Sequence, residues 1–454
     1  MIRVPGFEGR RVAVFGLGRS GLTAARALKA GGAEPVLWDD GISSRMQAEA
    51  EGFVVEDLTT ADWSGFAALV LAPGVPLTHP VPHWTVEKAK EAGVEIVGDL
   101  ELFARALAAL PEGGRPQVVA ITGTNGKSTT TALIAWVLKQ AGLTVRMGGN
   151  IGIGVLALPE PTPGAVYVIE CSSYQLDLTT TFAPDVAILT NISPDHLDRH
   201  GGMEGYVAAK ARMFAHVGPG VVALIGVDER WGAELAAEVD GAVSVGVGGE
   251  YRPSAGQLET RWGAIDLSGA RSLAGRHNAQ NAAFAYGAAR ALGVDHDAAV
   301  EGLLSFPGLA HRMEPVGRVG RVRFINDSKA TNADAARQAL AAYERVFWIA
   351  GGRAKAGGID DLAELFPRVV EAFLIGEAAG PFAAALGEVP HRISGDMASA
   401  VQQAFEAAFA TGREEVVLLS PAAASFDQFP DFEARGEAFR AAALALGAMP
   451  EGAA

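Results

Sequence analysis

Apolar positions in this chain come in short unbroken runs. Each run ends in a cluster of glycine and polar residues, and a longer stretch of helical spacing follows. The first part holds Arg11–Phe15 (RVAVF), Pro35–Trp38, Ala67–Leu71 and Val94–Val97, with a helix predicted over Leu22–Ala30. A helix at Asp99–Leu110 and a Pro/Gly-rich connector at Pro111–Pro116 lead to a second set. Its predicted strands are Val118–Thr122, Val166–Glu170, Val186–Leu189, Val221–Ile225 and Val243–Val247. Helices are predicted from Lys127 to about Ala141, over Tyr206–Phe214 and over Ala282–Leu292, with irregular chain before Gly275. After a hinge at Pro307–Ala310, strands are predicted at Val322–Ile325, Val346–Ala350, Ala372–Ile375 and Val416–Leu419. Repeated strand, loop and helix predict an α/β fold of parallel sheets. The expected domains are 1–97, Rossmann-like; 98–308, a P-loop-type mononucleotide-binding sheet; and 309–454, again Rossmann-like.

Composition narrows this picture. At 454 residues the chain exceeds one ordinary core. Its net charge of −15 and lack of a dense basic block exclude the electrostatic footprint of a nucleic-acid binder, so an anionic substrate must be held locally. Cys171 is the only cysteine, which rules out an internal disulfide or a thiolate-rich zinc site and points to a reducing compartment. The start, MIRVPGFEGRR, has no apolar h-region, and no apolar run is long enough to span a bilayer. A cytoplasmic protein without a membrane partner is expected.

The strand ends carry the chemistry. Val118–Thr129 (VVAITGTNGKST) reads as strand, phosphate loop and helix: Gly123 and Gly126 let backbone N–H groups turn inward, Lys127 adds a mobile charge, and Ser128 can hold Mg²⁺. Ile121 stands where the general P-loop pattern has its first glycine. Gly16–Gly21 (GLGRSG) with Asp39 is a weaker dinucleotide-type fingerprint, whose carboxylate could accept from ribose hydroxyls. Glu170 is either a Mg²⁺ ligand or an exposed strand-end acid. His196 is open between metal ligand, phosphate contact and proton acceptor. Lys210, among alanines, reads on its own as a surface or snorkelling lysine. Asn278 and Asn281 share a helix face and could cap the helix or grip a base. In the last part Asp327, Lys329, Lys355 and Ser425 suit a zwitterionic small molecule and a polyphosphate.

Together GTNGKS, ECSSYQLD, DHLDRH, AAKARMF, RHNAQN, HRME, NDSKATN and SPAAASFDQF resemble the Mur ligases of peptidoglycan synthesis, across all three expected domains. NDSKATN and SPAAASFDQF point to the member that adds D-glutamate to UDP-N-acetylmuramoyl-L-alanine. The resemblance implies ATP-driven amide formation through an acyl phosphate, by a monomer. Gly123, Thr124, Asn125, Gly126, Lys127, Ser128 and Thr129 would cradle ATP, with Asn278, Asn281, Arg312, Asp327 and Lys329 completing its site. Ser128 and Glu170 would hold one Mg²⁺, and His196 a second that a carbamylated Lys210 bridges. By the same resemblance Lys127, His196 and Lys210 serve catalysis. Arg19, Ser20, Asp39, Gly74, Asn150 and Ser172 would meet the UDP-substrate, and Thr331, Lys355, Ser425 and Phe432 would hold D-glutamate. Arg19 and Asp40 stand where other side chains are familiar, and Ala423 replaces a frequent cysteine. Competing expectations are another Mur-type or folylpolyglutamate-type ligase, a nicotinamide-dependent oxidoreductase, which leaves the phosphate loop without a task, and a non-catalytic nucleotide-regulated binding module.

Overall fold

In this computed structural model the described residues are 1–449 apart from Pro219, Ala274 and 355–357; the side chains of residues 271 and 334 are also left aside. The chain forms two compact units, Met1–Phe306 and Pro307–Ala454.

The first unit contains two parallel sheets. In one, the strands run in the order Val54–Val55, Glu34–Trp38, Arg11–Phe15, Ala68–Leu71, Glu95–Val97. Chain direction across this sheet switches between Arg11–Phe15 and Ala68–Leu71, and the crevice at such a switch is where open α/β sheets take ligands. The second sheet runs Val243–Val245, Val222–Gly226, Val186–Leu189, Gln117–Thr122, Ala165–Glu170, Thr144–Gly149. Its centre is buried on both faces, so the strands read as continuous apolar runs rather than alternating ones. One hydrophobic core runs from Ile2 and Leu28 through Leu100 and Phe103 to Tyr167 and Leu189, joining the flanks of both sheets. Gln175 ties the two halves further, donating to the buried Asp99 carboxylate at 3.2 and 3.1 Å.

This unit departs from the sequence reading at its sheet edges and before Gly275; the edge strand Val54–Val55, for one, was not predicted. Residues before Gly275 are not wholly irregular: Arg252–Ser254, Gln257–Thr260 and Gly263–Asp266 form a small antiparallel sheet, with strands too short to show a period. The edge strand Thr144–Gly149 was not predicted, its closing glycine pair weakening the strand pattern.

The second unit has one sheet in the order Glu314–Val319, Val322–Asn326, Glu415–Leu419, Val346–Gly351, Val369–Ile375, His391–Gly395. The expectation of a wholly parallel sheet is corrected at one edge, where Glu314–Val319 pairs antiparallel through a hairpin. Cores lie on both faces of this sheet. Among the described residues no helix is long and apolar enough to cross a membrane.

Candidate functional site

The strand Gln117–Thr122 delivers its carboxyl end to a loop that only glycine can make. Gly123 has φ of 144°, and a Cβ there would lie 1.9 Å from Thr190 Oγ1. Gly126, left-handed at φ 81°, opens the helix Lys127–Gln140. The neighbouring strand end sets the loop's shape: Thr124 N–H donates to the Asn191 carbonyl at 3.0 Å, Asn125 N–H to the Asn191 side-chain oxygen at 2.8 Å, and the Thr190 hydroxyl to the Asn125 carbonyl at 2.6 Å. Lys127 folds back over the loop, its ammonium 2.9 Å from the Gly123 carbonyl and 2.8 Å from that of Thr124. Ser128 and Thr129 follow in the first helical turn, where backbone donors and the helix dipole favour an anion.

Glu170 ends the adjacent strand beside Ile121 and is buried, which removes the exposed-acid reading. Its Oε1 accepts from the Asn150 amide at 2.7 Å, while its Oε2 is buried without a hydrogen-bond partner. A buried carboxylate oxygen left in this way fits Mg²⁺, which takes one or two protein carboxylates beside phosphate and water. Among the described residues no group of three or more His, Cys, Asp and Glu could hold a metal, so such an ion would lean on the nucleotide as well.

Lys210 corrects the surface reading: it is 1% exposed and donates to the Gly123 carbonyl at 2.8 Å. Burial holds it well below the usual lysine range, and the positive charge of Lys127 adds to this. In its helix, Met203–Ala211, Tyr206 and Ala209 are buried with Lys210, while Ala208 is exposed, so the alanine run itself gave no sign of the burial. His196 sits left-handed at φ 51° at the start of the Leu197–His200 helix, its ring 5.0 Å from that of Tyr174. Burial lowers its pKa, Lys127 and Lys210 add to the shift, and Asp195 opposes them.

The helix bearing the two amides begins at Arg276 with Gly275 at its cap, so neither Asn278 nor Asn281 caps it. Asn281 donates to Asn278 at 3.1 Å and accepts from Thr130 at 3.1 Å; its oxygen lies so near Gly126 that a Cβ there would come within 2.7 Å. Asn281 therefore packs on the phosphate loop, with Asn278 hydrogen-bonded to it.

At the first sheet's switch point, the Gly16 turn lies against the Ala72–Gly74 loop, with room for no side chain at Gly16. Arg19 and Ser20 open the following helix, and Gly74 is exposed. Asp39 accepts from Leu17 N–H at 2.6 Å and from Gly41 N–H at 2.7 Å, so it closes the turn itself. Asn150 leans on Glu170, and Ser172 caps the Ser173–Asp177 helix in a capping box with Gln175.

In the second unit, Asp327 lies buried at a strand end, accepting from Met313 N–H at 3.1 Å and the Ser420 hydroxyl at 2.9 Å. Burial pushes its pKa up to about 7, against the opposing charge of Arg312. The Ser328 hydroxyl donates to the Phe432 carbonyl at 2.7 Å, and the Lys329 ammonium lies 4.0 Å from the centre of the Phe432 ring. Thr331 N–H donates to the Lys329 carbonyl, and Ser425 is buried in the turn after Glu415–Leu419. Lys355 falls outside the described residues. Sequence reasoning missed Arg435, a fully buried guanidinium that donates to the carbonyls of Ser328, Gly351 and Ala423 and so ties three strand-end loops together. Its signal was weak, one of two arginines, with Arg440, on an alanine-rich helix. Asn191 and Tyr206 have no local signature either, since each acts through contacts far along the chain, with Asn125 and Thr124.

A glycine loop with Lys-Ser at a helix start, a buried orphan carboxylate and a second lysine beneath the loop define a nucleotide-binding α/β protein. Residues 121–289 match the Mur ligase middle domain, and residues 311–423 match the Mur ligase, glutamate ligase domain. The chain belongs to the Mur ligase family. It is 60% identical over 461 residues to the UDP-N-acetylmuramoylalanine–D-glutamate ligase of Caulobacter vibrioides, covering 98% of each chain. It is 58% identical to that of Phenylobacterium zucineum, again covering 98% of each, and 51% identical to that of Agrobacterium fabrum, covering 99% of this chain and 98% of the other. Among solved structures it shares the fold of UDP-N-acetylmuramate–alanine ligase from Thermotoga maritima (TM-score 0.58, 18% identity, covering 96% of this chain and 99% of that one). It also resembles MurF from Acinetobacter baumannii (TM-score 0.55, 21% identity, covering 78% and 82%).

Proposed function

We propose that this chain joins D-glutamate to UDP-N-acetylmuramoyl-L-alanine at the expense of ATP, in cytoplasmic peptidoglycan precursor synthesis and as a monomer. Identity of 51–60% over nearly the whole chain to ligases named for that reaction carries the substrate assignment. The observation that carries the chemistry is the set of groups around Gly123: Lys127 and Lys210 both donate to its carbonyl, and the orphan Glu170 oxygen stands at the neighbouring strand end.

The alanine carboxylate attacks the γ-phosphate of ATP, releasing ADP and leaving an acyl phosphate. The D-glutamate amine then attacks the acyl carbon and phosphate departs as the amide forms. A carboxylate and a triphosphate repel each other, so the work of the protein is positioning and neutralising charge. Lys127 swings from the loop carbonyls to the β/γ-phosphates, and the N-terminus of its helix supports them. Ser128, Glu170 and His196 would hold Mg²⁺, which supplies further charge neutralisation when bound. Burial lowers the pKa of Lys210 and so favours the neutral amine that carbamylation requires; the carbamate would replace a cation with an anion suited to a metal. Asn278, Asn281, Arg312, Asp327 and Lys329 serve the nucleotide. The 1–97 sheet takes the UDP group near Arg19, Ser20 and Gly74, with Asp39 shaping the turn, and Asn150 and Ser172 on the diphosphate side. Thr331, Ser425 and the backbone of Phe432, with Lys355, take D-glutamate in a C-terminal domain beginning near residue 309.

Phosphate release is the test. With ATP, Mg²⁺ and UDP-N-acetylmuramoyl-L-alanine, release depends on D-glutamate and is not supported by L-glutamate or by a folate acceptor. Release indifferent to the amino acid sinks the specific reading and leaves a ligase of other substrate.

A further inference from the structure

Four residues beyond His196, His200 is nearly as buried as Lys210, yet nothing in the reaction uses it. Its Nδ1 lies 3.0 Å from Asp177 Oδ2 and its Nε2 3.0 Å from Ser173 Oγ. A carboxylate only accepts, so Nδ1 carries hydrogen toward Asp177, and in the neutral ring Nε2 accepts from the serine hydroxyl. Carboxylate, imidazole and hydroxyl in this order are the parts of a hydrolytic triad. Ser173 is 3% exposed, however, and lies in the first turn of its helix, so no substrate carbonyl reaches it.

What the ring touches is more telling. One face stacks on Tyr174 at 5.4 Å and 12°, and Tyr174 in turn meets the His196 ring at 5.0 Å. His200 also packs against Tyr206 at 5.4 Å. Tyr206 carries the Lys210 ammonium 4.6 Å from its ring centre and shares a hydrogen bond with Thr124 Oγ1 at 3.1 Å. Thr124 Oγ1 also accepts from Ser193 N–H at 3.0 Å. One imidazole is thereby fixed at both nitrogens to the helix following Glu170 and packed against the two tyrosines that back His196 and Lys210.

The geometry points to His200 as a positioning residue: anchored by Asp177 and Ser173, it holds the Tyr174 and Tyr206 rings against His196 and Lys210, and so sets the affinity of the divalent cation that Glu170 and His196 would hold. This rests on the proposed reading that Glu170 and His196 would hold that cation. Rings held by hydrogen bonds at both nitrogens fix the orientation of their stacking partners, and outer partners of metal sites typically change metal affinity by about 10–100-fold when removed.

The test is Mn²⁺ binding, read by electron paramagnetic resonance on the full chain with a non-hydrolysable ATP analogue and without turnover. His200→Phe keeps the ring and loses both hydrogen bonds; it weakens Mn²⁺ binding about tenfold, leaves the KM for D-glutamate unchanged, and recovers most of kcat at high Mg²⁺. His200→Gln, which can restore one bond, lies between the two. Ser173→Ala, which leaves the Ser172 cap intact, weakens Mn²⁺ about threefold and decides the matter should His200→Phe fail to fold. His196→Ala serves as the control. If His196→Ala weakens Mn²⁺ binding while His200→Phe and Ser173→Ala do not, the positioning role is overturned. If none of the three changes it, the cation reading falls first.

Discussion

The turn after Arg11–Phe15 and the turn after Gln117–Thr122 share a backbone plan: a buried parallel strand, a glycine bend, and a helix whose first residues point back at the strand end. They differ in what closes the bend. At the first, the Asp39 carboxylate accepts the Leu17 N–H, so a negative charge occupies a donor that a phosphate would need. At the second, the closing partner is the neutral Asn191, and two lysines donate to the Gly123 carbonyl. Glycine spacing makes a cradle; the polar groups around it decide whether a polyphosphate is welcome. On the proposed reading the first turn takes a neutral ribosyl or uracil group and the second a triphosphate.

The contrast breaks or sharpens under mutation. Lys127→Ala removes the mobile cation of the second turn and should lower kcat about 10³-fold while the UDP-substrate still binds, measured by steady-state phosphate release and calorimetry. Equal loss of UDP-substrate binding would dissolve the distinction between the turns. Lys210→Met should cost about 10²-fold in activity and yet stabilise the fold at pH 7 in urea unfolding. The sign follows from its lowered pKa: the unfolded chain binds the proton that the folded chain gives up, so folding costs less as pH rises toward the unfolded value near ~10.5. The stability gap between Lys210→Met and the parent chain therefore narrows with rising pH, and a gap independent of pH would contradict the buried-amine account. Asn191→Ala releases the second loop and should raise the KM for ATP about tenfold without moving the KM for the UDP-substrate. Asp39→Ala should do the converse and more weakly, raising the KM for the UDP-substrate about fivefold. An effect of Asp39→Ala on ATP instead would reverse the assignment of the two turns.

Much of the architecture was legible because parallel strands buried on both faces are short apolar runs, and glycine punctuates them. Arg11–Phe15 and Val186–Leu189 stand where the pattern put them. The edge strand Thr144–Gly149 and the small antiparallel sheet were not legible, since edges and short strands carry little burial and hence little pattern. The helix that opens at Arg276 was placed six residues late because its first turn is polar.

The sequence by itself determined the local plan at Val118–Ser128, because a glycine bend, a lysine and a helix start are consecutive in the chain; the loop's final shape also takes hydrogen bonds from Thr190 and Asn191. Only the tertiary structure decided the state of the groups around it. Lys210 lies far along the chain from Gly123, and neither its burial nor the charge of Lys127 that depresses its basicity has a local signature. The orphan oxygen of Glu170, the closure of the first turn by Asp39 and the anchoring of His200 share this origin. Each depends on which strand ends a sheet brings side by side, and that order is set by packing rather than by neighbours in sequence.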